Sequence, residues 1–461
     1  MNKTVIKNIE EQLNRSIPPV PGKPKDINFP KFFETVTPSG ITVLVIEDRK
    51  LPLVTARFVF RQGAYSDTSF GKQKAGLGSI TAEMLTKGTS QRSAATIAEQ
   101  TDFLGATLST GADYDASYVS CYSLTKHFDE IFGIASDVLR NPVFSDEELQ
   151  RVKEQRLNSL LSMIDDGDYL ASRSYRQAVY GNNPYSFSVD GNSSSVASIE
   201  VGDLKKFYEK TYSPENLIVA FVGDVSPEEA VMRLESEFGN WHASFEELKA
   251  PEKPDMNSSA VVLTRKSGAV QSSLRIGHVC INRNDPDFIK VSLMNTILGG
   301  YFTSRINKNL REVNGFTYSA RSALSSHRFG GDISVLTEVK TDITTATIRE
   351  IMKEINILRE SEPGDEELQN VKNFVSGNFP LQLETPNSIA SKAINLKLFG
   401  LNNDYYNTYI RTVNELTKED IRLTAEKFLH PDKLVFSIAG DVDNILDEVT
   451  EFGIPEIVEI N

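Results

Sequence analysis

The sequence predicts an α+β fold made of two tandem homologous units, each an antiparallel sheet with helices on one face. Three observations predict it. The chain has 461 residues, more than one ordinary hydrophobic core accommodates. Residues 146–153 read DEELQRVK and residues 365–372 read DEELQNVK, an offset of 219. At that offset Ala171 and Ser172 match Ala390 and Ser391, and Gly181 matches Gly400; PENLIVAFVGDV (214–225) then matches PDKLVFSIAGDV (431–442) at an offset of 217. An ordered series at nearly constant spacing is the mark of a duplication. Finally, strand-like segments follow one another directly with helices grouped between them, which suggests layers of sheet and helix.

In chain order, residues 1–34 contain PPVPGKP and read as an extended arm. The first unit spans 35–241. GITVLVIED and LVTARFVFRQG read as β-branched, partly alternating strands. GLGSITAEML and AATIAEQTDFLG read as helices, with Gly88 stopping the first and Ser93 capping the second. ATLSTGA and DASYVSCYSL read as strands. A long helix starts at Ser145, where Ser145 and Glu148 have capping-box spacing. LIVAFVGDV is a strand near the end of the unit. Residues 242–259, charged and with two prolines, read as a linker. The second unit, 260–461, repeats the pattern with QSSLRIGHVCI, a helix from Phe288 to Leu298, and strands near 317–324 and 331–338.

Hydrophobic residues are 39% and charged residues 24%, as in globular proteins. A net charge of −14 argues against a nucleic-acid binder, which would carry a basic stripe. No apolar run is long enough to span a membrane. The opening MNKTVIKNIEEQLNRS lacks the apolar core of a signal peptide. The default expectation is therefore cytoplasmic, with the cell envelope open if a leader precedes this numbering. Cys121 and Cys280 sit in apolar strand contexts and read as buried free thiols.

The segment 76–93, GLGSITAEMLTKGTSQRS, resembles the active-site helix of the insulinase/pitrilysin zinc peptidases. There the order is Gly-Leu-x-His-x-x-Glu-His-Met-Leu-x-x-Gly-Thr. Gly76, Leu77, Met84, Leu85, Gly88 and Thr89 keep the frame. The resemblance runs from about residue 35 to 445 and implies the two-unit fold. In that family two histidines one helical turn apart grip zinc and a glutamate activates water. Here Ser79 and Glu83 stand at the histidine positions and Ala82 at the glutamate. The third ligand, a glutamate on the long helix, corresponds to Ser159. The five histidines, His127, His242, His278, His327 and His430, offer no substitute spacing. The expectation is no metal in this chain.

The second unit contains SRINKNLREVNGFTYSARS (304–322). The family has an Arg and a Tyr seven residues apart, matched here by Arg311 and Tyr318 with Gly315 between them. In the resembled enzymes this pair faces zinc across a closed chamber, where it holds a substrate carbonyl and donates to the oxyanion. On spacing alone, Arg311 on an exposed helix face and Tyr318 filling a strand core is the more ordinary reading; the frame around the pair turns the preference to the functional one. Some bacterial members divide the zinc and the Arg–Tyr pair between two subunits. The resemblance thus implies a non-catalytic, substrate-contacting subunit of a zinc metallopeptidase, paired with a homologous zinc-bearing subunit, with a homodimer also open. The alternative is a peptide-binding or structural scaffold of the same fold. An independent hydrolase lacks support, since no G-x-S-x-G or Cys–His signature is present.

Overall fold

A computed structural model describes residues 28–71, 73–241, 243, 248–256 and 259–460. Most of the expected arm, including PPVPGKP, and part of the linker lie outside the described residues. The first unit contributes β1 (Phe33–Val36), β2 (Thr42–Glu47), β3 (Leu53–Phe60), β4 (Thr107–Ala112), β5 (Ser117–Leu124) and β6 (Leu217–Gly223). The second contributes β7 (Ala260–Arg265), β8 (Gln271–Cys280), β9 (Ala320–Ser326), β10 (Gly331–Lys340), β11 (Val435–Gly440) and β12 (Pro455–Val458). The sheet orders are β1-β2-β6-β3-β5-β4 and β12-β7-β11-β8-β10-β9. Five strands of each sheet correspond one to one, so the two tandem units share one topology. The sixth is added differently: β1 precedes its unit and pairs antiparallel with β2, whereas β12 follows its unit and pairs parallel with β7. The sheets are antiparallel apart from β2–β6, β7–β11 and β7–β12. The first unit begins before residue 35, because Phe33 and Glu34 belong to β1 and Phe29 is buried against Tyr406.

Alternation along the strands gives each sheet two buried faces. Val54, Ala56, Phe58 and Phe60 of β3 face the first unit's own helices; Leu274, Ile276 and Cys280 of β8 do the same in the second. The opposite faces are closed by exchange. Four helices matter here: α1 (Leu77–Met84), α2 (Asp146–Met163), α3 (Gly167–Tyr180) and, from the second unit, α4 (Phe288–Asn295). Three more follow: α5 (Asp365–Asn378), α6 (Pro386–Leu398) and α7 (Tyr405–Glu415). Helix α3 of the first unit packs on β7, β8 and β11 of the second, and α6 of the second packs on β3 and β6 of the first. These two helices are repeat equivalents, so the units embrace each other reciprocally.

The two embraces differ chemically. Under α6, Ile389, Ala390 and Ile394 meet Leu44, Ile46, Ala116 and Ile218 in an apolar layer. Under α3 the layer is polar. Tyr180 donates to Asp332 Oδ1 at 2.8 Å and Tyr175 to Asp332 Oδ2 at 3.2 Å, while Arg275 reaches the same carboxylate at 3.5 Å. Ser174 bonds Thr264 at 2.7 Å. By strand register Asp332 stands where the first unit has Ala116. A buried carboxylate is tolerated there because several donors satisfy it.

Cys121 and Cys280 are free and buried, and burial pushes both thiols up to about 12, away from nucleophilic character. Among the described residues no helix is long and apolar enough to cross a membrane.

Candidate functional site

Helix α1 is positioned by its N-terminus. Gly76 adopts φ 93°, a left-handed turn that favours glycine. The buried Asp67 carboxylate then accepts from the Gly76 and Gly78 amides at 2.8 and 2.9 Å, occupying the helix N-terminus. Burial pushes the Asp67 carboxyl up to about 8 against the pull of those amides. Beyond this cap, Leu77, Ile80 and Met84 enter the first unit's core. That packing leaves Ser79 and Glu83, one turn apart, facing α2.

Ser159 is exposed, on the rim of a depression of about 270 Å³ that Glu83, Arg156 and Asp190 also line. The side chain that enters between the helices is Arg156, one turn earlier on α2. Its guanidinium donates to Ser79 Oγ at 3.1 Å, to Glu83 Oε2 at 2.8 Å and to Asp190 Oδ1 at 2.6 Å. Only 15% of the Arg156 side chain is exposed, against 33% for Glu83 and 54% for Asp190. A fixed organic cation therefore stands between the helices that would grip a metal. Ala82, at the position of the water-activating glutamate, is fully buried and carries only a methyl group.

These residues do not fit zinc. One donor is a neutral hydroxyl and another an exposed one. Both carboxylates, Glu83 and Asp190, are already paired with Arg156, and that guanidinium would repel a dication. Among the described residues no group of three His, Cys, Asp or Glu side chains is placed to hold a metal ion.

The second unit's pair is built differently. Helix α4 continues into a π-helical turn, Thr296–Gly300, and a second π-helical segment, Lys308–Val313, carries Arg311. Such turns recur at functional sites. Gly315, at φ 65°, reverses the chain, and the Phe316 amide bonds back to Leu310 O at 2.7 Å. Phe316 packs against the second core, and Tyr318 projects outward. Tyr318 is 92% exposed, so it does not fill a strand core. Arg311 lies 4.8 Å over the Phe302 ring. Both line one depression of about 900 Å³, together with Arg321, Lys340 and Glu338 of the same unit and Asp166 and Asp168 of the first. Asp166 and Asp168 stand at the start of α3, so the depression is shared between the units. Among the described residues, neither the Arg311 guanidinium nor the Tyr318 hydroxyl has a hydrogen-bond partner.

The family description Insulinase (Peptidase family M16) matches residues 42–187, and Peptidase M16 inactive domain matches residues 198–375. The chain belongs to peptidase family M16. A Helicobacter pylori protein described as non-peptidase homolog YmxG is 24% identical over 416 residues, 88% of this chain and 94% of its own length. A Bacillus subtilis protein described as uncharacterized zinc protease YmxG is 25% identical over 319 residues, 69% of this chain and 76% of its own. The crystal structure of a peptidase M16 inactive domain from Pseudomonas fluorescens superposes with a TM-score of 0.83 at 26% identity, covering 89% of this chain and 98% of that one. A protease from Helicobacter pylori gives the same TM-score, 0.83, at 15% identity over 90% of this chain and all of that one, a likeness of fold alone.

Proposed function

We propose that the chain is the substrate-contacting, non-catalytic subunit of a two-subunit M16 metallopeptidase, with zinc supplied by a homologous partner. The carrying observation is the contrast in hydrogen bonding between the two positions just described. Arg156 is fully engaged where a metal would sit, whereas Arg311 and Tyr318 are presented without partners on one depression. An exposed guanidinium beside a phenol offers paired N–H donors for a peptide carbonyl and an O–H for the oxyanion it becomes. Water attack itself is assigned to the partner, because this chain offers no base at Ala82. In this reading the depression faces the partner's metal across a closed chamber.

The test is co-purification with an M16 homologue that keeps H-x-x-E-H, followed by a peptidase assay on each protein alone and on the mixture. Peptide cleavage by the complex that exceeds the partner alone supports the proposal. Stable association without any gain in cleavage overturns it in favour of a scaffold.

A further inference from the structure

We propose that a pocket among α4, α5, α6 and α7 binds a small anionic ligand with an aromatic or apolar body. This inference is independent of the peptidase-subunit reading. The pocket has a volume of about 680 Å³, within the range of roughly 300–1,000 Å³ usual for small-molecule sites. Two cationic residues line it, Arg283 from the turn after β8 and Lys392 from α6, and no carboxylate does. In a chain with 63 acidic and 49 basic residues, that lining runs against the overall balance.

Among the described residues neither cation is neutralised by an acid: no carboxylate lies within ion-pair reach of either one. The Arg283 guanidinium is stacked 3.9 Å over Phe288 and 4.9 Å from the Tyr405 ring centroid. Aromatic faces offset part of its charge but do not replace an in-plane oxygen acceptor. Its Nη1 and the Tyr405 hydroxyl are both buried and close to each other, yet neither makes a hydrogen bond of good geometry. Lys392 Nζ lies 5.5 Å from the Tyr406 ring centroid. Burial, and then the charge of Arg283, lower its pKa. Buried charges are ordinarily paired. Two cations without an acid partner, beside a buried N–H and a buried phenol that lack a well-formed hydrogen bond, are complementary to an oxyanion. A carboxylate or phosphate would accept from the Arg283 fork and from Lys392. The walls beyond, including Phe374 and Tyr409, suit a planar apolar body.

The probes are benzoate, phenyl phosphate and uncharged benzyl alcohol, titrated calorimetrically into the full chain. Saturable binding of at least one anion and none of the alcohol is expected, and the anion that binds distinguishes a carboxylate from a phosphate source. Arg283→Met and Lys392→Met should each weaken that binding about tenfold or more. Arg283→Met should keep or raise Tm, because it removes a poorly compensated buried charge. Lys392 is only partly buried, so Lys392→Met tests the site even if Arg283→Met does not fold. Three results overturn the proposal: no binding of either anion, equal binding of benzyl alcohol, or wild-type affinity in the folded variants.

Discussion

The degenerate metal position of the first unit and the Arg–Tyr loop of the second are both built from polar side chains near the ends of helices, yet they solve opposite problems. Around Arg156 every charge finds a partner: Glu83, Asp190 and Ser79 all accept from one guanidinium. Around Arg311 and Tyr318 the polar atoms are left open, and the backbone is folded by Gly315 and Phe316 so that they stay open. A mutually satisfied cluster stabilises a fold; unsatisfied donors on a depression are free for a ligand. The same difference separates the buried Asp332 network from Arg283, which finds no acid partner among the described residues.

The largest expected effect concerns metal. Restoring Ser79→His, Ala82→Glu, Glu83→His and Ser159→Glu together should not create a zinc site while Arg156 remains, because its guanidinium will pair with the new carboxylates. Adding Arg156→Ala should raise zinc affinity by about 10- to 100-fold, the scale of effects exerted by groups behind the ligands. Metal analysis after dialysis checks both, and stoichiometric zinc in the fourfold variant would remove Arg156 from its assigned role. Next, Arg311→Ala in the reconstituted complex should lower kcat/KM by roughly 100- to 1,000-fold. Part of the loss should appear in KM, since the guanidinium holds the substrate before reaction as well. An unchanged kcat/KM would place Arg311 on the surface only.

A third prediction extends the contrast to a buried base. His278 Nδ1 donates to Val279 O at 2.7 Å, and its Nε2 accepts from the His430 amide at 3.1 Å, a pattern that needs the neutral ring. Burial lowers its pKa from 6.5 to about 4. Below pH about 6.5 the unfolded chain takes up a proton that the fold refuses, so this contribution to stability is lost between about pH 6.5 and 4 and is constant below. It amounts to about 3 kcal/mol. Asp67 has the opposite sign, since its carboxyl is raised to about 8 and its contribution is lost as pH rises towards that value. Denaturation of wild type and His278→Gln at matched pH isolates the histidine: the stability of wild type relative to the variant should fall by about 3 kcal/mol from pH 7 to pH 4. A constant difference would show that His278 is protonated in the fold. Smallest is Arg156→Met, which loses charge-assisted bonds to partly exposed acids. It should cost about 1–2 kcal/mol in chemical denaturation, and an unchanged midpoint would mean the cluster is decorative.

Much of the fold was legible because the repeat survives in the strands and in the long helix. Ser93 caps its helix as its position suggested, accepting from the Thr96 amide. Ser145 supplies only half of a capping box, accepting from the Glu148 amide at 3.3 Å, because the Glu148 side chain turns to Arg151 instead. The reciprocal crossing of α3 and α6 could not be read. Both helices were visible as repeat partners, but nothing local says that each packs on the other unit's sheet. At the candidate site, Ser79, Ala82 and Glu83 were found because the frame around them survives. Arg156 and Asp190 were missed because they lie outside that frame. One signal was available for Arg156: it stands three residues before Ser159, so the two share a helix face. Arg311 and Tyr318 were legible as a pair, but their exposure was not, since it depends on the Gly315 reversal and the inward turn of Phe316.

The most direct measurement is the kinetics of Tyr318→Phe in a complex already shown to be folded and zinc-loaded. The substitution removes one hydroxyl and keeps the ring. Because Tyr318 is 92% exposed, it should leave stability and assembly unchanged. If the hydroxyl stabilises the oxyanion, kcat should fall by roughly 100- to 1,000-fold. Wild-type turnover would contradict the assignment of Tyr318 to the substrate and, with it, the reading of this subunit as a contributor to peptide hydrolysis.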